Sequence, residues 1–557
     1  MSHSYWMTKS PAVAVVFALA LAPSAGAQAP ADLTGLWGAT LRFGPDIGGT
    51  LLIYRTSDGW RADIAGFTVP VRIDGQGLRA FAFELPDKKG AFRGGHWIQP
   101  ERFATPVTLV ANGKDRWRGT VTPLENRLTF YLPIARDLHT YLRNPERNIG
   151  RFIRVTHVTV NGKDVRLLDR SDTTLARGHY EDGVISVPLR GATYDFTRVA
   201  DTASSPFYPR GRPATRYRYT PPLQLNDGWP VAQPESVGIS RDQVQRLVQQ
   251  FLDMPMDSLN TIQIHSLLIA RHGKLVLEEY FHGYGRDTPH DLRSASKSWT
   301  ATLIGAAMQA GVPLTVNTPV YQTMLDSVPA NLDPQKRAMT LEHLLTMTAG
   351  FNCDEDDPTS ADEDQMSGQD SIVDWVRHTL EVRLISAPGE KIFYCSAEPN
   401  VAAGMLAKVA HEHLPEMFER LIARPLHMRG YHLGLTPLGE AYGGGGHRFT
   451  PRDFLKFAQL MVNEGRWEGK QIVSREWARQ STSPLRDFTP KLHWGYLWNA
   501  GDYQYRGRSV LAFWAGGNGG QVFMGIPELD LVIGFTGGNY NDGVRYSVPD
   551  SVLSVVR

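Results

Sequence analysis

The sequence predicts an α/β (α+β) chain in two parts: a β-rich barrel or sandwich, then one mixed sheet flanked by helices. Three observations carry this. Short β-branched and aromatic runs punctuated by glycine turns fill residues 31–200. A Pro-, Arg- and Tyr-rich stretch without periodicity occupies 201–230. From 231 to 557 the order is amphipathic helix, hairpin, helices and three closing strands.

Taken in order, residues 1–27 read as an export leader. Lys9 precedes the apolar run Ala12–Leu21, and Ala25-Gly26-Ala27 fits a small-residue cleavage site. The competing reading is a membrane anchor, but the run falls short of the about 20 residues a span requires. The expected protein is therefore periplasmic or secreted, with no membrane span once the leader is removed.

In the β-rich part, Leu51–Tyr54, Val69–Ile73, Phe81–Leu85 and Leu128–Tyr131 are strand-like. Asp58-Gly59, Asp74-Gly75, Asn112-Gly113, Asn161-Gly162 and Asp182-Gly183 supply the turns. Gly35-Leu36-Trp37 faintly resembles the Gly-x-Trp opening of lipocalin-like barrels; a core tryptophan closing a barrel end explains it equally. Nothing titratable in this half groups as a catalytic cluster.

Further on, Ser240 with Gln243 forms a capping-box pattern ahead of Val244, Leu247, Val248, Phe251 and Leu252, an apolar helical stripe. A hairpin then turns at Gly273. Arg293-Ser294-Ala295-Ser296-Lys297 leads into a helical run ending near Gly311, and strands are expected near 510–514, 522–526 and 531–536. Ser294 and Lys297, three apart at a helix start, lie on one face. A serine is a poor nucleophile until a neighbouring base activates it, and free N–H groups at a helix start suit an oxyanion. An N-capping serine beside a surface lysine is the plain alternative.

Charge bounds the partners. Lys plus Arg number 58 and Asp plus Glu 57, so no basic surplus exists for nucleic acid or an anionic membrane. The acidic runs Asp354–Asp357 and Asp362–Asp364 read as solvated loop; Pro358 and a missing glycine argue against an EF-hand. His411-Glu412-His413 lacks zinc-site spacing, and no metal is expected. His447, Trp494, Trp498 and Trp514 suit either a cleft wall or the core. Two cysteines, Cys353 and Cys395, permit one disulfide in an exported chain.

Two further stretches complete a pattern: Tyr394-Cys395-Ser396 before an alanine-rich helical run, and Ala515-Gly516-Gly517-Asn518-Gly519-Gly520 between two strands. With Ser294-x-x-Lys297, and with Leu344–Gly350 and Gly446–Asp453 in support, the region from about 231 to 550 resembles the serine β-lactamase and penicillin-binding-protein superfamily. Its nearest likeness there is to class C β-lactamase-like esterases and 6-aminohexanoate-dimer hydrolases. The resemblance implies an antiparallel sheet flanked by helices with a helical subdomain. It also implies Ser294 as nucleophile, with Lys297 and Tyr394 sharing a proton-transfer network. Lysines and tyrosines have ordinary pKa values near 10, so either residue type is a candidate base. Ser396 would bridge to the leaving group, or else serve as a helix cap or turn serine. The oxyanion would lie between the Ser294 N–H and an N–H of the late strand, with Asn518 and Gly517 the candidates.

Two departures from the family pattern, Ala515 where Lys or His is usual and Ser396 where Asn is common, point away from an efficient β-lactamase. The expected function is cleavage of a small ester or amide through an acyl-enzyme, without cofactor. A DD-peptidase or β-lactamase, and a non-catalytic ligand-binding relative, are the alternatives. Because the family counterparts of 344–351 and of Tyr394 border one cleft, a Cys353–Cys395 disulfide is expected. On the loop-closure estimate it is worth roughly 4 kcal/mol. Oligomeric state and substrate identity are not encoded in any motif.

Overall fold

The computed structural model describes residues 32–43, 48–71, 81–83, 94–99, 102–124, 127–541 and 548–556. The leader reading over 1–27 and the Asp74-Gly75 turn lie outside them.

The β-rich expectation holds. Strands Arg127–Ile134, Gly35–Arg42, Ala192–Arg198, Val184–Leu189, Thr174–Glu181, Asp164–Leu168 and His157–Asn161 lie side by side in that order as an open antiparallel sheet. Alternation along Val184–Leu189 sends Ile185, Val187 and Leu189 inward, as a period of two requires. They meet Trp37, Phe130, Leu132 and Phe196 in one core. Trp37 is wholly buried there, its indole N–H donating to Leu33 O at 2.7 Å.

The stretch 201–230 is irregular yet tied down. Tyr217 and Arg210 both reach the Glu279 carboxylate. Asp227 accepts from buried Arg452 at 2.7 Å, and Arg452 also pairs with Glu278 at 2.7 Å. Breaking such a buried, shared pair costs about 3–5 kcal/mol, so this segment is part of the packed structure.

Beyond it run helix α1 (Arg241–Leu252), hairpin strands β1 (Ile264–Arg271) and β2 (Lys274–Tyr280), helix α2 (Lys297–Gln309), helix α3 (Ala397–Ala410) and helix α4 (Pro451–Val462). Strands β3 (Arg486–Thr489), β4 (Leu492–Trp494), β5 (Asn499–Tyr505), β6 (Arg508–Gly517), β7 (Gln521–Ile526) and β8 (Leu531–Gly537) follow. Helix α1 buries the predicted stripe, and Ser240 caps it, accepting from Gln243 N at 3.4 Å.

The sheet order is β2-β1-β8-β7-β6-β5-β4-β3, every pair antiparallel. The mixed sheet expected from element order is thus corrected. Its strands join by tight turns or through long helical excursions that return the chain antiparallel, so no parallel crossover arises. Helices α2 and α4 cover one face in the main core, while α1 and the helix Val548–Val555 cover the other.

One connection had no sequence signal. Strand Tyr431–Gly434 pairs with Phe103–Thr108 of the β-rich part, Leu433 facing Ala104 and Gly434 facing Phe103. The two parts thereby share a six-stranded sheet.

Buried histidines recur throughout. His265 and His290 share a 2.8 Å hydrogen bond, and the His265 ring stacks on Tyr284 at 4.2 Å. Burial pushes His96, His282, His432 and His447 down to about 3 and His290 to about 4. These rings are neutral when folded, whereas in the unfolded chain they bind a proton below about 6.5. Between those values the unfolded state holds more protons, so stability rises with pH and is lost as pH falls. At about 1.4 kcal/mol per pKa unit, a few such groups exceed a typical total stability of about 5–15 kcal/mol. Acid unfolding should therefore begin below about pH 6.5 and finish before the folded-state values are reached. Urea midpoints across a pH series measure this; an unchanged midpoint from pH 7 to 4 would contradict it.

Candidate active site

Ser294 sits in a single 3-10 turn, Arg293–Ser296, that runs directly into α2. Arg293 is left-handed (φ 47°), a conformation costing about 1–3 kcal/mol for a residue with a side chain unless its surroundings enforce it. Here they do. Asp291 Oδ1 accepts the Arg293 N–H at 3.1 Å. The Arg293 carbonyl accepts from Gly446 N at 3.1 Å and Ser296 Oγ at 2.8 Å. The kink at Arg293 begins the turn that brings Ser294 within reach of Lys297 and Tyr394.

Asp291 is itself held in place. Burial works to raise its carboxyl, but Arg293, Arg448 and Arg147 outweigh this and keep it below the usual range. Arg147 belongs to the β-rich part and pairs with Asp291 at 3.0 Å. For Arg293, burial opposes the charge, and Asp291 with Tyr540, Glu363 and Asp364 overcomes it.

The predicted trio converges. Lys297 Nζ donates to Ser294 Oγ at 3.0 Å and to Ser396 Oγ at 2.9 Å. Tyr394 OH donates to Ser294 Oγ at 2.6 Å, and its ring lies 4.9 Å from Lys297 Nζ. Lys297 is 1% exposed and Tyr394 41% exposed. Ser396 precedes α3 but caps none of its N–H groups, so the helix-cap alternative is set aside. A hydroxyl between an amine and a phenol can shed its proton as it attacks an electrophile.

Three ties frame Tyr394. Phe393 N donates to Met347 O at 3.0 Å. Cys353 and Cys395 are bonded, with Cα atoms 5.6 Å apart. Glu398, fully buried, accepts from Ala349 N at 3.3 Å, and burial drives its carboxyl well above the usual range. This last residue went unremarked in the sequence, where a glutamate in an alanine-rich helix carries no signal of burial.

The late strand approaches the serine closely. A Cβ on Gly517 would meet Leu292 O at 2.3 Å and Ala295 N at 2.9 Å, so only glycine lets β6 lie against the Ser294 turn. On the opposite flank, a Cβ on Gly445 would meet Arg293 O at 3.0 Å. Asn518 follows β6, its side chain locked to Asn541 by hydrogen bonds of 2.7 and 2.8 Å. Among the described residues, neither the Ser294 nor the Asn518 N–H has a backbone acceptor.

Other candidates fall outside. His447 is fully buried, accepts from Gly434 N at 3.0 Å and packs edge-on to Trp299, so it shapes the core. Trp494 meets Tyr394 edge-on at 6.1 Å, whereas Trp498 packs on Phe513 in the interior and Trp514 against Tyr503. Asp362 and Glu363 depart from the solvated-loop reading. Asp362 caps a short helix, and Glu363 accepts from Tyr442 at 3.2 Å. His413 pairs with Glu440 and Glu412 with Arg420.

An antiparallel sheet flanked by helices, with Ser-x-x-Lys opening a helix against one of its strands, defines the serine β-lactamase-like class. The Beta-lactamase family profile matches residues 244–545, and the chain belongs to that family. A 6-aminohexanoate-dimer hydrolase of Paenarthrobacter ureafaciens is 24% identical over 222 residues, covering 38% of this chain and 55% of that protein. The chain thus spans about half the length of the curated relative it matches. Among solved structures, a penicillin-binding protein homolog from Caulobacter crescentus is 16% identical (TM-score 0.46), covering 58% of this chain and 97% of its own. EstCE1, a hydrolase with promiscuous acyltransferase activity, is 18% identical (TM-score 0.45), covering 58% of this chain and 99% of its own.

Gly517→Ala should displace either β6 or the Ser294 turn. The expected loss is about 1–3 kcal/mol of stability, with any activity assay falling more steeply than the folded fraction. A variant with the parent's unfolding midpoint would show that the strand has room to spare.

Proposed function

We propose that this protein is an exported serine hydrolase that cleaves an ester or amide through an acyl-enzyme on Ser294. The observation that carries it is the Ser294 hydroxyl held between Lys297 Nζ at 3.0 Å and Tyr394 OH at 2.6 Å. In this reading Ser294 Oγ attacks the carbonyl carbon and its proton enters the Lys297–Tyr394 network, both members of which touch that oxygen. The N–H groups of Ser294 and Asn518 receive the oxyanion. The proton then passes to the departing alcohol or amine, with Ser396 linking Lys297 to the leaving-group side. Water, activated by the same network, releases the acid and restores the serine.

Export rests on the leader reading of residues 1–27 and fits the disulfide beside Tyr394. The substrate choice rests on chemistry at the third motif. Ala515 supplies no charge for the carboxylate of a β-lactam, and the relative named for 6-aminohexanoate dimer supports amides as one branch. The test is intact-mass detection of an adduct across esters, amides and β-lactams. An adduct with esters or amides is expected, and labelling by β-lactams alone would replace this reading with the penicillin-recognising one.

Ser294→Ala should abolish both adduct and turnover while leaving the unfolding midpoint near the parent's, since a small residue replaces a small one. Turnover near the parent level would remove Ser294 as nucleophile.

Lys297→Ala and Tyr394→Phe should each lower kcat by orders of magnitude, and the double variant by far less than the product. Groups acting as a unit are not additive. Multiplicative losses in steady-state assays would mean separate roles.

A further inference from the structure

Away from Ser294, a cavity of about 530 Å³ opens at the seam where the β-rich part meets the loop leading into β1. That volume is in the range of small-molecule sites. Its floor is fixed from both sides, because Tyr141 OH donates to Met256 O at 2.5 Å and Arg143 to Ser258 O at 2.6 Å. The cavity is therefore formed before any ligand arrives, which lowers the cost of binding.

The charge of the lining is mainly positive. Arg151, Arg154 and Arg170 all face it, and among the described residues neither Arg154 nor Arg170 has a carboxylate partner. The single acid, Asp169, turns inward on its own loop, its Oδ1 accepting from Ser171 N at 2.8 Å and Thr173 N at 3.0 Å. Thr140 also borders the cavity but is 1% exposed, its hydroxyl oxygen closed off behind the surface. Tyr141, Val155 and Leu259 complete an apolar wall.

We propose that this cavity is a binding site for a small organic anion, a carboxylate or phosphate head on a short apolar body. The Arg154 and Arg170 guanidinium groups pair with the head, as their forked donors suit both oxyanions. The site is independent of the hydrolase reading and gives the β-rich part a ligand-binding role.

The experiment is calorimetric titration of the full chain with hexanoate, with hexyl phosphate and with inorganic phosphate at constant ionic strength. Arg154→Ala and Arg170→Ala are run in parallel; both residues are exposed and lie outside the Ser294 site. Saturable one-to-one binding of at least one hexyl compound is expected, weakened at least about tenfold in each variant, with hydrolysis unchanged. Binding of hexyl phosphate alone assigns a phosphate head, and binding of both assigns the shared anion. No saturable binding by either below about 10 mM, or equal affinity in both variants, would overturn the proposal. So would hexyl compounds binding no better than inorganic phosphate, which would reduce the site to general charge attraction.

Discussion

The left-handed turn at Arg293 is the constraint on which the rest of the site depends. A residue with a side chain does not hold φ near 47° unless its neighbours leave no alternative. One of those neighbours is local and two come from distant segments. Asp291 accepts the Arg293 N–H, the Gly446 N–H donates to its carbonyl, and Gly517 closes over the next turn of backbone. Each contributes a short polar or steric contact that would be lost if the turn relaxed. Lys297, one turn on, can then reach Ser294 because the serine has been aimed toward it.

The β-rich part belongs to this frame. Its strand Phe103–Thr108 extends the sheet that carries Arg448, and its Arg147 neutralises Asp291. Without Arg147, Asp291 would retain only Arg293 and Arg448 to offset the cost of burial. The anchor under Ser294 would then be weaker even though no residue of the trio had changed. Two packed parts of one chain thus set the orientation of a single side chain.

Much of this was legible beforehand, for local reasons. Helix α1 announced itself through a 3.6-residue stripe and a capping serine, and β1–β2 through two apolar runs about a glycine. Ser294 and Lys297 are three residues apart on one helix face, so their meeting follows from helix geometry alone. Tyr394 could be placed only by resemblance, because 100 residues of chain separate it from Ser294 and no local rule bridges them. What escaped was non-local. The pairing of Tyr431–Gly434 with Phe103–Thr108 has no composition signal, since strand pairing depends on the partner's edge. The place of Ser396 was ambiguous because a serine before a helix is usually its cap, whereas here it accepts from Lys297 and caps nothing. Glu398 looked like any helical glutamate until burial and the Ala349 N–H gave it a place.

Exposure divides the site's two proton-handling candidates. Lys297 is enclosed, with hydroxyls at its Nζ, while Tyr394 stands 41% exposed against Trp494. In the proposed mechanism the substrate arrives on the open side, where Tyr394 borders solvent. Both groups touch Ser294 Oγ, so the proposed proton path has an enclosed branch through Lys297 and Ser396 and an exposed one through the phenol. The ties around Tyr394 hold the exposed branch in place: the Cys353–Cys395 bond, the Phe393–Met347 hydrogen bond and the Glu398 anchor all restrain an otherwise exposed loop residue. A proton carrier that faces solvent needs its position fixed by the chain around it, since water would otherwise compete for every hydrogen bond it makes.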